Sequence, residues 1–237
     1  MKCIILAGGY GTRLAEETKL KPKPLVKIGS KPIIWHLMKI YSHFGIKDFI
    51  ICLGYKGKLL KKEVNYLNRD KNWNIKYINT GLNTMTGGRI KRVKDYIGED
   101  EDFCLTYGDG LANINITELI RFHKSHRKAA TLSSVFPPGR FGAVEIKDSQ
   151  VTRFSEKPSG DGALINGGFF VLNKRAINYI KEDSTIWEQE PLNTLATTGE
   201  LMSFKHENFW QPMDTLRDKY YLEELWESNK APWKLWS

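Results

Sequence analysis

The tightest constraint on the fold lies at the N-terminus. A short apolar run, Cys3-Ile4-Ile5-Leu6-Ala7, stops at Gly8-Gly9-Tyr10-Gly11-Thr12-Arg13-Leu14. An unbroken apolar run, rather than an alternating one, is the pattern of a strand buried on both faces, and such strands belong to parallel sheets covered by helices. The glycines that end it let backbone N–H groups approach a ligand closely and adopt positive φ. A concave set of N–H groups binds anions, and Arg13 adds a full positive charge beside them. Seven residues after Leu14 comes Lys21-Pro22-Lys23-Pro24-Leu25-Val26. Its prolines fix φ and exclude helix, so Lys21 and Lys23 stand on a stiff stem with little entropy to lose on meeting an anion. The two segments together suit the handling of a nucleoside triphosphate. Two other phosphate loops are excluded: Leu14 stands where a dinucleotide loop needs its third glycine, and no Gly-Lys-Ser/Thr closes a Walker A loop.

Strand and helix patterns alternate beyond this point. Pro32 to Tyr41 reads as a helix that stops at Gly45, with Ile33, Ile34, Leu37, Met38 and Tyr41 on its core face and His36 and His43 on its polar side. A strand at 49–53, a lysine-rich surface helix at 58–69, a short strand at 75–78 and a helix after Gly87-Gly88 follow. Phe103-Cys104-Leu105-Thr106-Tyr107 then runs as a strand into Gly108-Asp109-Gly110. This alternation predicts an α/β fold with a doubly wound, mostly parallel mixed sheet, whose ligands bind beyond the carboxyl ends of the strands. The turns at Gly8 and Gly108 both fall at such ends and are expected to meet in one cleft. Four strands in 130–172 suggest an added strand-rich layer on the far side of that cleft. Helices near 191–197 and 215–227 follow, the second capped by Asp214 or Thr215.

The 237 residues carry no linker, repeat or low-complexity stretch. They read as one domain, 1–237, with a nucleotide half at about 1–128 and a second half at about 129–237. No apolar stretch is long enough to span a membrane and the N-terminus lacks a signal-peptide layout, so a cytoplasmic protein without a membrane partner is expected. Cys3, Cys52 and Cys104 lie inside apolar runs without metal-ligand spacing, as reduced core residues do. The net charge of +9 suits a polyanionic partner. The basic residues are scattered rather than gathered on one face, which argues against nucleic acid. Trp233 and Trp236 near the C-terminus are exposed unless the tail docks on its own subunit or on another.

The chain resembles the sugar-1-phosphate nucleotidyltransferases. The resemblance rests on the glycine loop, the Lys-Pro segment, Met85-Thr86-Gly87-Gly88-Arg89, Tyr107-Gly108-Asp109-Gly110 and Phe136-Pro137-Pro138-Gly139-Arg140-Phe141-Gly142. It continues through Glu156-Lys157-Pro158, Asn166-Gly167-Gly168-Phe169-Phe170, Trp187-Glu188-Gln189-Glu190-Pro191 and Phe209 to Thr215. Within the family it is nearest the glucose-1-phosphate cytidylyltransferase branch, although between Gly57 and Thr80 the chain is about twenty residues shorter than that branch leads one to expect.

The resemblance implies direct displacement. A phosphate oxygen of glucose 1-phosphate attacks the α-phosphorus of CTP in line, and pyrophosphate leaves. Asp109 and Asp214 are implied as the Mg²⁺ pair, a hard oxygen site of the kind that neutralises charge developing on phosphates. Arg13 and Lys23 are the implied catalytic cations, Arg13 on the β- and γ-phosphates and Lys23 on the α-phosphate. Leu6, Ala7, Gly8, Gly9, Tyr10, Gly11, Thr12 and Gly108 would join them around the nucleotide. Thr84 and Arg89 are placed near the base, with Arg89 able to donate to cytosine O2. Glu156, Lys157, Asn166 and Gly167 are placed on the sugar phosphate, and a homo-oligomer is expected. Transfer of UMP or dTMP is the alternative within the class; a silent nucleotide-sugar sensor is the alternative outside it, but Arg13, Lys23, Asp109 and Asp214 are all present.

Overall fold

The computed structural model describes residues 1–139, 143–155 and 163–236. The segment Glu156–Lys157, expected at the sugar phosphate, lies outside the described residues, as does Arg140-Phe141-Gly142.

In chain order the strands are β1 (Cys3–Leu6), β2 (Lys27–Ile28), β3 (Lys31–Pro32), β4 (Asp48–Leu53), β5 (Asn74–Asn79), β6 (Asp102–Tyr107) and β7 (Gly110–Ala112). They continue as β8 (Ala130–Val135), β9 (Ala143–Lys147), β10 (Gln150–Ser155), β11 (Ile165–Asn173), β12 (Leu201–His206) and β13 (Trp210–Pro212). The α-helices are α1 (Ala15–Thr18), α2 (Ile33–His43), α3 (Gly57–Leu67), α4 (Thr86–Arg92), α5 (Ile116–His126), α6 (Glu190–Thr197) and α7 (Leu216–Glu227).

The central sheet has seven strands in the order β12-β8-β11-β6-β1-β4-β5. All of its pairings are parallel except those of β11, which runs antiparallel to β6 and β8. β1 explains why its sequence does not alternate. Cys3 and Ile5 face one core, shared with α2, α3, α5 and α7, while Ile4 faces the other, shared with α4 and α6. Both faces are covered, as parallel sheets require.

Two differences from the expected layering follow from burial. β8 and β11 are members of the central sheet rather than of an added layer; Phe169, Phe170, Val171 and Leu172 are all buried because they too face both cores. Of the four strands expected in that layer, β9 and β10 stand apart from the central sheet, as a two-stranded hairpin. His36 is not on a polar helix face but fully buried. Its Nε2–H donates to the Ile28 carbonyl at 3.1 Å, which leaves Nδ1 to accept from the Trp233 indole N–H at 3.4 Å. The C-terminal tail thus docks on its own chain. Trp233 stacks against Phe209 and Trp226, and Trp236 meets Trp35 edge-on at 5.7 Å.

Candidate active site

The glycine loop leaves β1 at its carboxyl end, beside the equivalent end of β6, and the two edges frame one cleft of about 650 Å³. Leu6, Gly8, Gly9, Tyr10, Arg13 and Gly108 all face it. A smaller adjoining recess, of about 380 Å³, adds Gly11, Thr12 and Lys23 to its wall. Ala7 lies beneath the surface, with its N–H donating to the Cys52 carbonyl at 3.2 Å.

Gly8 is glycine because of what stands next to it. A Cβ there would fall 2.1 Å from Nη1 of Arg89 and 2.6 Å from its Cζ. Arg89 is buried, and its two terminal nitrogens reach Thr80 Oγ1 at 2.7 Å and the carbonyls of Gly81 (2.9 Å), Gly8 (3.1 Å), Leu53 and Leu82 (both 3.3 Å). Burial depresses its pKa, with only partial compensation from neighbouring groups. With those nitrogens committed to the protein, Arg89 ties the glycine loop to the turn at 81–84. That turn brings Asn83 and Thr84 to the cleft wall, where the Tyr10 hydroxyl donates to Asn83 Oδ1 at 3.2 Å.

Lys23 is the centre of the charged part. Its ammonium is 2.6 Å from Asp109 Oδ2 and 2.7 Å from Asp214 Oδ1. Arg13 Nη1 reaches the other oxygen of Asp214 at 3.0 Å, and the Arg13 side chain is 76% exposed, so most of it is free to meet a ligand. Burial works against the Lys23 charge, but Asp109 and Asp214 outweigh it and hold its pKa above the ordinary lysine value. Burial likewise works to raise the pKa of Asp214, and Lys23 and Arg13 outweigh it and hold that pKa down. Lys21, by contrast, pairs at 2.8 Å with Glu17.

The two aspartates stand 105 positions apart and meet through a small ladder. β13 pairs antiparallel with β7, setting Pro212 against Gly110, and the Met213 N–H donates to the Asp109 carbonyl at 2.9 Å. The chain after Asp214 is then fixed by Asp218, whose carboxylate accepts from the N–H of Asp214 (3.0 Å) and of Thr215 (2.8 Å) in a capping box on α7. Thr215, not Asp214, is the cap, which leaves the Asp214 side chain for the cleft. Two carboxylates on one ammonium nitrogen are close enough to share a single cation, and their hard oxygens suit Mg²⁺. Among the described residues no group of three or more metal-ligating side chains occurs, so a cation here would depend on phosphate oxygens or water for its remaining ligands.

Across the cleft, Asn166, Gly167 and Gly168 come from β11 at a slip in its register with β8. Such a bulge turns side chains out of the sheet's alternation. Gly168 takes φ +78°, and a Cβ would lie 2.5 Å from the Tyr107 ring. The Trp210 indole N–H donates to the Gly167 carbonyl at 2.7 Å. Tyr107 and Trp210 both face the cleft, yet neither stood out as a site residue from the sequence. The available signal was Tyr107's position at the strand end, directly before Gly108-Asp109.

A nucleotide-sized cleft with a glycine loop, two cations and two acidic groups is consistent with several phosphate chemistries. Comparison decides among them: the sequence profile described as "Nucleotidyl transferase" matches residues 2–214. The chain belongs to the nucleotidyl transferase family. It is 58% identical to a glucose-1-phosphate cytidylyltransferase of Salmonella typhimurium and 58% identical to one of Salmonella typhi, in each case over the whole of both chains. Those alignments run over 256 positions against the 237 residues here, a difference of nineteen. Among solved structures, HddC of Yersinia pseudotuberculosis superimposes with a TM-score of 0.74 at 27% identity, covering 95% of this chain and 99% of that one. The nucleotidyl transferase fold thus accounts for nearly the whole chain. No helix among the described residues is long and apolar enough to cross a membrane.

Proposed function

We propose that this nucleotidyltransferase transfers CMP from CTP to α-D-glucose 1-phosphate, releasing pyrophosphate and forming CDP-glucose. The full-length likeness to proteins of that activity supports the substrate pair. The observation that carries the chemistry is the placement of Lys23 between Asp109 and Asp214 at the mouth of the glycine loop.

In this reading the N–H groups of 8–12 and Arg13 hold the β- and γ-phosphates, which become the leaving pyrophosphate. Lys23 bears on the α-phosphate, where negative charge grows in the transition state. The sugar phosphate enters from the side of Asn166 and Gly167, opposite the leaving group, as in-line displacement requires. Neither a covalent nucleophile nor a general base is needed, because a phosphate dianion attacks directly; catalysis is positioning and charge stabilisation. Asp109 and Asp214 would hold Mg²⁺, which supplies charge neutralisation on the phosphate oxygens. The base sits against Tyr10 and the turn carrying Asn83 and Thr84, and Arg89 sets the carbonyls of that turn rather than spending a terminal N–H on the base.

The test is pyrophosphate release from CTP, UTP, dTTP, ATP and GTP, each with glucose 1-phosphate and Mg²⁺. Release confined to CTP is the expected result. Preference for UTP or dTTP would overturn the base assignment, and release with none would overturn the substrate pair.

A further inference from the structure

A chain of hydrogen bonds runs from the exposed Glu188, just before α6, to residues of the cleft wall. Glu188 Oε1 lies 2.5 Å from the Tyr107 hydroxyl and its Oε2 lies 2.6 Å from the Thr86 hydroxyl. Thr86 Oγ1 in turn accepts from the Trp187 N–H at 2.9 Å. On the other side Asn166 Nδ2 is 3.2 Å from the Tyr107 oxygen, and Asn166 Oδ1 accepts from the Gly168 N–H at 2.9 Å. Glu188 is held at this place by its neighbour, since Trp187 is fully buried against Phe170, which also carries the Tyr107 ring edge-on.

The direction of the bonds through the Tyr107 hydroxyl follows from Glu188. An ionised carboxylate only accepts, and a tyrosine has one proton to give. Tyr107 must spend it on Glu188, so toward Asn166 its oxygen can only accept. That requirement turns the Asn166 amide with Nδ2 to Tyr107 and Oδ1 to Gly168, and it sets which donor and acceptor capacity remains facing the cleft. The Gly168 N–H, which can only donate, asks for the same orientation, so the Tyr107 oxygen and the Gly168 N–H hold the Asn166 amide from its two ends.

We infer that Glu188 is a positioning residue for the sugar phosphate, acting through Tyr107 to fix the orientation of the Asn166 amide. The inference rests on the proposed reading of Asn166 as part of the sugar-phosphate subsite. Glu188 itself does not line the cleft, whereas Thr86, Tyr107 and Asn166 do. Its effect is therefore expected on the sugar phosphate and not on the nucleotide.

The experiment measures KM for glucose 1-phosphate and for CTP, with melting temperatures, in wild type, Tyr107→Phe, Glu188→Ala, Glu188→Gln and the double variant Tyr107→Phe/Glu188→Ala. Tyr107→Phe should raise KM for glucose 1-phosphate about tenfold, the scale of one orienting hydrogen bond, and leave KM for CTP within about twofold. Glu188→Ala should match it. Glu188→Gln, which keeps an acceptor for the tyrosine proton, should recover most of the loss. In the double variant the two effects should not multiply, because one acts through the other. Multiplying effects would show that Glu188 acts on the ligand directly and overturn the inference. So would an unchanged sugar KM in Tyr107→Phe, or a parallel rise in both KM values with a large fall in melting temperature. A wild-type protein inactive with this substrate pair would instead overturn the proposed function, and the same four variants would then be read with whichever pair it turns over.

Discussion

Replacing Lys23 with methionine keeps the bulk of the side chain and deletes one charge. The cost can be worked out from the geometry. Asp109 and Asp214 would then face each other across the space the ammonium had filled. Two unit charges ~5 Å apart, the most that bonds of 2.6 and 2.7 Å to one nitrogen allow, repel by ~3 kcal/mol at an effective dielectric of ~20. The two carboxylate side chains are 31% and 24% exposed, and solvent screening brings the loss to ~1–2 kcal/mol. For a chain of this size that is a fall in melting temperature of roughly 3–6 °C. Turnover should suffer far more. A donor aimed at charge that develops in the transition state contributes ~3–4 kcal/mol, so the rate should drop by hundreds-fold. Lys21→Met loses only a surface ion pair with Glu17, at about 0–1 kcal/mol, and should turn over nearly normally. Pyrophosphate release and a melt with and without millimolar Mg²⁺ test both parts. Mg²⁺ should restore melting temperature to Lys23→Met, where two bare carboxylates await a cation, and hardly move the wild type. A Lys23→Met turnover within fivefold of wild type, or one higher than that of Lys21→Met, would refute the assignment of Lys23 to the reacting phosphate.

Asp109→Asn and Asp214→Asn should each lower turnover by orders of magnitude in the pyrophosphate assay; wild-type rates in both would remove the metal assignment. Circular dichroism should show the fold retained, because neither carboxylate supports the core. Gly8→Ala drives a methyl group onto the Arg89 guanidinium and should cost ~1–3 kcal/mol of stability by urea unfolding, as overpacking does. Its turnover should fall with the displaced loop, and a neutral result would show that Arg89 is not the strut described here. Stability should also decline in mild acid because of His36, whose pKa burial pushes down to about 4 despite the carbonyls of Ile28 and Lys31. With the folded value below the unfolded one, the buried neutral ring contributes fully above ~6.5, and ~3 kcal/mol is lost as pH falls from there through about 4. Urea unfolding at pH 7 and 4.5 should show a shallower loss in His36→Gln than in wild type. His123, His126 and His206, also depressed by burial, keep the slope from vanishing. Equal slopes in variant and wild type would rule His36 out.

The sequence alone determined the parts of this protein that local chemistry controls. An apolar run too uniform for a one-sided strand, ending in glycines, specified a buried parallel strand with a glycine loop at its carboxyl end, and β1 with the loop that opens onto the cleft is that element. The helix from 33 and the cap before α7 were legible for the same reason, because helical periodicity and N-cap chemistry act within a few residues. The Lys-Pro segment was misread in part: Pro22 is extended, but Lys23–Leu25 closes a single 3-10 turn, since the φ that Pro24 fixes suits the first turn of a helix as well as an extended chain. Family resemblance extended this to single residues, pairing Asp109 with Asp214 across 105 positions that no local rule can bridge. What the tertiary structure decided is how that pairing comes about, through the β7–β13 ladder and the Met213 N–H. It also decided that Arg89 faces inward onto carbonyls, that His36 is buried under Trp233, and that β11 joins the main sheet. Each depends on which surfaces meet when the sheet closes. Whether a polar side chain finds water or a carbonyl is a property of packing between distant segments, and the residue alone carries no record of its partner.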